Sequence, residues 1–270
     1  MTTTSNITTQ GIRHSFSTTG ESLHVLDDIH MDIGQGEFVS LIGPSGSGKT
    51  TLLRIIGGLL SQTEGRVSIA GVEPVEAQRR KDIGFVFQDA ALLPWRTVEQ
   101  NVRLPLELNT SSNGRGDAEL GRLLAAVGLA DFGNYYPHQL SGGMKQRVAL
   151  ARALVFDPSV LLMDEPLGAL DELTRSAMRY ELLQIWEQSR KTVLFVTHSI
   201  SEAVLLSDRV IVISPRPGRI VDDVRIELSR PRTKEVERTT KFLDYADRIL
   251  ESLSRETAFV SAATPTGEGD

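Results

Sequence analysis

A glycine-rich segment that ends in a lysine and a hydroxyl residue carries the strongest chemical signal in the sequence. It reads Gly43-Pro44-Ser45-Gly46-Ser47-Gly48-Lys49-Thr50 and has the spacing G-x-x-x-x-G-K-[ST], with an apolar run before it and a helical pattern after it. Glycines allow backbone N–H groups to converge on a phosphate, and the following helix adds the positive end of its dipole. Lys49 supplies a cation for the β- and γ-phosphates, and Thr50 supplies a hydroxyl ligand for Mg²⁺. The segment therefore predicts a nucleoside triphosphate site, in which we include Thr51.

Two carboxylates follow a second apolar run, Val160 to Met163. Asp164 closes this predicted strand and is expected to hold Mg²⁺ through water. Glu165 is expected to face the water that attacks the γ-phosphate and to act as its general base. The two motifs together predict phosphoryl transfer from a nucleoside triphosphate to water or to a second substrate. A phosphate-loop kinase or helicase therefore remains an alternative on these residues alone.

The elements that must position these motifs alternate between apolar strands and helices, which predicts an α/β fold with a parallel sheet covered on both faces. Strands are predicted at Glu37–Ile42, Ile83–Phe87, Val160–Met163, Val193–Val196 and Val210–Ile213. Helices are predicted at Thr50–Leu60, Ala118–Val127, Gly143–Val155, Asp171–Ser189 and Ser201–Leu206. The opening residues 6–35 and Gly65–Val75 are expected to form an antiparallel layer. Thr110–Gly116 is expected to be a flexible loop.

Composition excludes several classes of protein and site. The chain has 270 residues, a net charge of −6 and no cysteine, so disulfides, thiolate metal sites and a cysteine nucleophile are excluded. No segment reaches the roughly 18 consecutive apolar residues of a membrane span, and the N-terminus does not resemble a secretion signal. We therefore expect a soluble, cytosolic α/β protein. The arginines around Pro231 (Arg230-Pro231-Arg232) are predicted to form a solvated face, with contact to anionic lipid as the alternative.

A third motif names a family. Leu140-Ser141-Gly142-Gly143-Met144-Lys145-Gln146-Arg147 resembles the signature motif of the ATP-binding cassette ATPases, and the likeness extends to about residue 220. A serine and two glycines ahead of a helix suit anion capture at the helix start. The resemblance implies a P-loop NTPase core with a RecA-like parallel sheet, an antiparallel β subdomain and an α-helical signature subdomain. We expect the ATPase domain at 1–225, its helical subdomain at about 89–157, a helical extension at 226–256 and a disordered tail at 257–270.

In that family the signature motif contacts the γ-phosphate of a nucleotide held by the other protomer. The resemblance therefore implies a head-to-tail dimer with a second copy of the chain, although pairing with a sister ATPase stays open. The residues expected to reach the partner's nucleotide are Ser141, Gly142, Gly143 and Gln146.

Further positions acquire roles from the same resemblance. Gln88 is expected to reach Mg²⁺ and the attacking water, and His198 to act as the switch histidine on the γ-phosphate. Asp171, at the end of the Gly168–Asp171 loop, is expected at the dimer interface. Phe16 is the expected adenine-stacking aromatic, with a simple core role as the alternative; the choice of ATP over GTP depends on the family likeness.

A narrower resemblance links the chain to the ATPase subunits of nitrate, sulfonate and taurine importers. It lies in Leu92–Val98 and Arg216–Ile220, while Leu167 departs from the phenylalanine expected there. It implies a peripheral protein on the cytoplasmic face of the inner membrane that binds integral-membrane permease subunits and, through them, an extracytoplasmic solute-binding protein. The imported solute is expected to be a small anion such as an aliphatic sulfonate, taurine or nitrate.

Two questions stay open on the sequence. The apolar residues Leu92, Leu93 and Trp95 belong either to a groove for a permease helix or to the local core. A cassette ATPase acting on DNA or ribosomes is the competing class. It is disfavoured because only 92 residues separate Lys49 from Ser141, which leaves no room for a long insertion, and we expect no nucleic-acid partner.

Overall fold

A six-stranded sheet forms the centre of the fold in the computed structural model, which describes residues 5–18, 21–108 and 117–263. The predicted Thr110–Gly116 loop and residues 264–270 lie outside the described residues. The strands are β1 (Ser5–Thr18), β2 (Glu21–Gly34), β3 (Phe38–Ile42), β4 (Glu64–Ile69), β5 (Ile83–Val86), β6 (Val160–Asp164), β7 (Thr192–Thr197), β8 (Arg209–Ile213) and β9 (Ile220–Arg225). The helices are α1 (Lys49–Ile56), α2 (Pro74–Arg79), α3 (Val98–Glu107), α4 (Asp117–Ala126), α5 (Gly142–Leu154), α6 (Glu172–Ser189), α7 (Ile200–Leu206) and α8 (Thr240–Ala263).

The strand order of the central sheet is β5-β6-β7-β3-β8-β9. The first five are parallel and almost wholly buried, as their apolar sequences predict, because helices cover both faces. The α/β prediction is confirmed, with the difference that β9 adds an antiparallel edge strand beside β8. Since the carboxyl ends of parallel strands share one edge, the segments after β3, β6 and β7 come together there.

A second, antiparallel sheet has the order β2-β1-β4 and matches the predicted antiparallel layer. The long hairpin of β1 and β2 places Phe16 opposite Leu23 near its turn. Its apolar face packs with α1 on one side of the central sheet, in a cluster that includes Ile7, Ile29 and Leu52. The hairpin thereby brings an exposed aromatic side chain to the start of α1.

The middle of the chain is helical, as expected, and begins with α3. A capping box at Thr97 and Gln100 starts this helix. Asn101, fully buried on α3, pins the preceding loop: its amide donates to the carbonyls of Leu93, Arg96 and Thr97 at 2.9–3.2 Å, and its oxygen accepts from Leu93 N–H at 2.8 Å. The loop holds Trp95 outward with 70% of its surface exposed. By contrast, Leu92 packs against two core clusters.

The C-terminal extension packs on α7, and one prediction for it is wrong. Arg232 is 4% exposed and donates to the carbonyls of Val204, Leu205 and Ser207 at the end of α7. Those carbonyls have no partner within a helix, so the guanidinium caps the helix instead of facing solvent. Burial lowers the pKa of Arg232 to about 10. Beyond it, α8 continues to Ala263, past residue 257 where the disordered tail was expected, and no glycine or proline lies between Thr240 and Pro265 to interrupt the helix.

Candidate nucleotide site

The glycine-rich loop joins β3 to α1 at the carboxyl edge of the central sheet. Gly46 and Gly48 have φ of 77° and 94°, in the left-handed region that favours glycine. Gly43 approaches the neighbouring strand so closely that a Cβ would lie 2.6 Å from the Ile213 carbonyl oxygen. The loop is thus a turn of backbone N–H groups at a helix start, which is the arrangement that binds phosphate.

Lys49 is folded over this loop. Its Nζ donates to the carbonyls of Gly43 at 2.8 Å and Pro44 at 2.9 Å and lies 3.3 Å from Ser47 Oγ. Burial lowers the pKa of Lys49, while the charges of Glu165 and Asp164 oppose that shift. The ammonium is therefore held within the loop by neutral oxygens, with two carboxylates nearby.

The expected magnesium ligands meet in part. Thr50 Oγ1 donates to Asp164 Oδ1 at 2.8 Å, across the gap between α1 and β6. Burial raises the pKa of Asp164, and the hydrogen bond from Thr50 opposes that shift. A hydroxyl beside a carboxylate is a set of hard oxygen donors and fits Mg²⁺. Gln88 is close to the Gly168–Asp171 loop, with its Nε2 3.2 Å from where a Cβ on Gly168 would stand.

Glu165 takes an unusual backbone conformation. Its φ is +45°, and its N–H donates to the Val196 carbonyl at 3.0 Å, so the residue is held where β6 and β7 end. Its Oε2 lies 3.3 Å from Nδ1 of His198, whose side chain is 61% exposed. A left-handed residue that is not glycine stores strain that the surrounding structure must hold, and such residues concentrate at functional sites.

Lys49, Thr50 and Glu165 open onto a pocket of about 310 Å³, whose lining does not include Gln88, Asp164 or His198. Its lining comprises Phe16, Leu23, Val25, Ser45, Gly46, Ser47, Gly48, Lys49, Thr50, Thr51, Glu165 and Arg216. Phe16 is 40% exposed and meets His14 edge-on at 4.6 Å between ring centroids, so one face is available to a base. A larger groove of about 690 Å³ beside β4 contains none of the predicted residues.

Arg216 also lines the pocket, a position that was not predicted for it, although Arg216–Ile220 belongs to the narrower resemblance. The loop between β8 and β9 is pinned to β2, since Gly218 N–H donates to Val25 at 2.8 Å and the Gly218 carbonyl accepts from Asp27 at 3.0 Å. A Cβ on Gly218 would lie 2.2 Å from the Ser47 carbonyl oxygen, so this loop touches the glycine-rich loop. This long-range contact, and no local pattern, places the arginine at the pocket.

The signature segment stands apart from this pocket. Ser141 caps α5, accepting from Met144 N–H at 3.3 Å, and the side of the helix start at Ser141 and Gly142 is exposed. None of the expected signature residues lines the pocket of the glycine-rich loop within the described residues. Gln146 points inward: it is 5% exposed and donates to the Phe87 carbonyl at 3.0 Å, next to Gln88.

Asp171 lies on the surface at the start of α6, close to a very exposed leucine. Its carboxylate accepts from Thr174 N–H at 3.1 Å, and this bond lowers the pKa of Asp171. Leu173 is 86% exposed. Leu167, which replaces the expected phenylalanine, is buried, and its carbonyl accepts from Arg175 at 3.2 Å.

The family model described as "ABC transporter" matches residues 26–168, which hold the glycine-rich loop, the signature and the acid pair. The chain belongs to the ABC transporter family. It is an ABC transporter ATPase domain, as the sequence motifs predicted. No helix within the described residues is both long enough and apolar enough to cross a membrane.

Several curated relatives of this ABC ATPase match most of its length. An uncharacterized ABC transporter ATP-binding protein of Methanocaldococcus jannaschii is 48% identical and covers 89% of this chain and 88% of its own. The taurine import ATP-binding protein TauB of Jannaschia sp. is 44% identical, and the match covers 86% of this chain and 87% of TauB. The aliphatic sulfonates import ATP-binding protein SsuB of Bacillus cereus is 41% identical, and the match covers 92% of this chain and 96% of SsuB.

Among solved structures, the ABC ATPase resembles the ATP-binding cassette MJ0796. The dimeric post-hydrolysis state of that protein, bound to ADP and phosphate, is 35% identical with a TM-score of 0.72 and covers 83% of this chain and 100% of its own. The match confirms the expected cassette fold, with a mostly parallel sheet and a three-stranded antiparallel sheet.

Proposed function

We propose that this ABC ATPase is the motor subunit of an importer for a small anionic solute of the sulfonate, taurine or nitrate type. It works as a head-to-tail dimer with a second copy, on the cytoplasmic face of the cell membrane and beneath a permease. The observation that carries the dimer is the exposed signature start at Ser141, outside the pocket of its own glycine-rich loop. The start of a helix binds phosphate, and this one lies outside the chain's own nucleotide pocket. It can therefore bind a nucleotide only if a partner copy holds that nucleotide against it.

In the proposed reaction the chain's own residues hold the triphosphate and place a water. The N–H groups of the glycine-rich loop and Lys49 bind the β- and γ-phosphates, and Phe16 stacks on adenine. Glu165 accepts a proton as the water oxygen bonds to the γ-phosphorus and the bond to the β-phosphate oxygen breaks. His198, beside Glu165, contacts the γ-phosphate. Asp171 meets the partner's loop at the dimer interface.

Thr50, Asp164 through water, and Gln88 are the residues proposed to hold Mg²⁺. The adjacent Thr50 hydroxyl and Asp164 carboxylate support this assignment. When bound, the ion neutralises charge on the β- and γ-phosphates.

The permease side of the proposal is supported by Trp95. Trp95 is 70% exposed, and the buried Asn101 holds its loop in place. Exposure of a large apolar side chain to water is unfavourable, which favours a partner protein at this surface. Exposed aromatic anchors on ordered segments are typical of binding hot spots. The names of the taurine and sulfonate relatives support the solute class.

The test begins with Glu165→Gln, which keeps the shape of the side chain and removes the base. We expect kcat for ATP hydrolysis to fall by about 10²–10⁴-fold with ATP binding retained, and the variant to accumulate as a dimer with ATP. Near-normal hydrolysis would refute the role of Glu165.

The tagged variant is then trapped with ATP in native membranes and purified. Recovery of a polytopic permease supports the importer, and uptake of taurine, alkanesulfonate and nitrate by the intact transporter then identifies the solute. Trp95→Ala is expected to abolish permease recovery, whereas Leu243→Ala, an exposed apolar residue on α8, leaves it intact. Recovery of soluble partners or nucleic acid alone would overturn the importer.

A further inference from the structure

A buried carboxylate lies one helical turn beyond His198. Glu202 is 4% exposed and occupies the third position of α7, which Ser199 caps. In an ordinary capping box the carboxylate at this position accepts the N–H of the capping residue itself. Here it accepts instead from Thr197 Oγ1, at 2.5 Å, and Thr197 Oγ1 accepts from Ser199 N–H at 3.0 Å. The threonine hydroxyl therefore stands between the carboxylate and the cap.

These two hydrogen bonds, from Ser199 N–H to Thr197 Oγ1 and from Thr197 Oγ1 to Glu202, form a relay that restrains the backbone on both sides of His198. Thr197 precedes the histidine and Ser199 follows it. The two hydrogen bonds of the Thr197 hydroxyl therefore restrain the peptide bonds on either side of His198. The imidazole is 61% exposed, and its polar contact is Glu165 at 3.3 Å. Since packing constrains the ring little, the backbone conformation between Thr197 and Ser199 determines where the ring points.

The ionisation of Glu202 depends on its burial and on two arginines of α6. Burial raises the pKa of Glu202, while the hydrogen bond from Thr197 and the positive charges of Arg175 and Arg179 oppose that shift. Arg175 also donates to the carbonyls of Leu167 at 3.2 Å and Leu170 at 2.7 Å. The Arg175 guanidinium thus holds the loop that leads to Asp171, and its charge favours the ionised carboxylate of Glu202.

We propose that Glu202, acting through the Thr197 hydroxyl, is a positioning residue for His198. This inference rests on the proposed role of His198 at the γ-phosphate. Without the relay, the peptide that carries the ring is free to rotate, and misplacement of a group by about 1 Å can cost up to a hundredfold in rate. The loss falls on kcat, because the glycine-rich loop that binds ATP is unchanged.

The matched pair Thr197→Val and Thr192→Val separates positioning from a structural role. Thr192 is a second buried threonine on β7, and its hydroxyl likewise makes two hydrogen bonds, to Asn6 at 2.8 Å and to Gly36 N–H at 2.9 Å, at the opposite end of the strand. Thr197→Val is expected to lower kcat roughly tenfold or more while KM for ATP stays within about twofold. Thr192→Val lowers the melting temperature but leaves kcat of the folded protein close to wild type.

Two further variants test the hydroxyl and the carboxylate separately. Thr197→Ser keeps the relay and is expected to restore near-wild-type kcat. Glu202→Ala is expected to match Thr197→Val, and Glu202→Gln, which keeps an acceptor oxygen, lies between Glu202→Ala and wild type. Equal kcat for Thr197→Val and Thr192→Val would overturn the inference.

The last readout is coupling to the histidine, measured as ATPase activity of the full chain. If Thr197 acts through His198, the double variant Thr197→Val/His198→Ala has the same kcat as His198→Ala alone. Losses that multiply in the double variant would overturn the inference while leaving the role of His198 intact. An unchanged kcat in His198→Ala would instead refute the proposed function of the histidine, and the two failures are therefore distinguishable.

Discussion

Replacement of Asn101 by leucine should loosen the loop that carries Trp95. The substitution keeps the size of the side chain and removes four hydrogen bonds to the loop. Two of the four backbone groups keep another partner: the Leu93 carbonyl accepts from Arg96 N–H, and the Thr97 carbonyl accepts from the N–H of residue 101 itself. The Leu93 N–H and the Arg96 carbonyl have Asn101 as their partner among the described residues.

The magnitude follows from these two groups. A buried polar group left without a partner costs about 1–3 kcal/mol. Leu93 and Arg96 are half-buried, so water can reach them in part, and we expect the free energy of unfolding to fall by about 3 kcal/mol. The control Gln100→Ala removes an exposed cap hydrogen bond from the same helix and should cost about 1 kcal/mol.

Urea unfolding followed by circular dichroism measures the stability, and tryptophan fluorescence measures the loop. Trp186 is 2% exposed and reports the core, whereas Trp95 is exposed and reports the loop. Quenching at Trp95 should change in Asn101→Leu while that of Trp186 stays constant. A loss below that of Gln100→Ala, with unchanged quenching at Trp95, would refute the reasoning that Asn101 holds this loop.

Three further predictions concern the pocket and its supports. Arg216→Ala should raise KM for ATP about fivefold, equivalent to about 1 kcal/mol, because this exposed guanidinium lines the pocket and pairs with no other described residue. Arg216→Lys should recover part of the loss. An unchanged KM in steady-state kinetics would contradict a contact between Arg216 and the nucleotide. Gly57→Ala should lower the free energy of unfolding, measured by thermal unfolding, by about 1–3 kcal/mol or more, because its Cβ would lie 1.8 Å from Phe85 Cζ. A Phe85→Leu background should relieve part of this loss. An equal loss in both backgrounds would contradict the clash with Phe85. The two arginines paired with Asp27 lower its pKa, so its stabilisation is present above the unfolded value near 4 and is lost as pH falls through the folded value. The gap in melting temperature between wild type and Asp27→Asn should therefore close on acidification, and a constant gap from pH 7 to pH 2 would contradict the assignment.

Short segments whose conformation depends on their own residues could be predicted from the sequence. The glycine-rich loop is one case, since its positive φ angles require glycine where glycine stands, and the lysine and threonine follow at fixed spacing. The buried parallel strands are another, because five runs of apolar residues match the observed strands to within one residue at every end. The edge strand β9 was not predicted, since Ile220–Arg225 has two adjacent aspartates and shows neither an apolar run nor a strict alternation of apolar and charged residues.

The identity of the chemistry was thus determined by the sequence, and the partners of individual polar side chains were decided only by the tertiary structure. Arg232 is expected at the surface from its charge, but the unpaired carbonyls at the end of α7, more than 20 residues earlier, bury it. Gln146 belongs to the signature motif, but its amide donates to a carbonyl 59 residues away. Glu202 and Thr197 are close in sequence, but the arginines of α6 whose charges favour the ionised carboxylate are more than 20 residues away. A polar group is stabilised by whichever complementary atoms packing brings within hydrogen-bond distance, and no periodicity in the chain records which atoms those are.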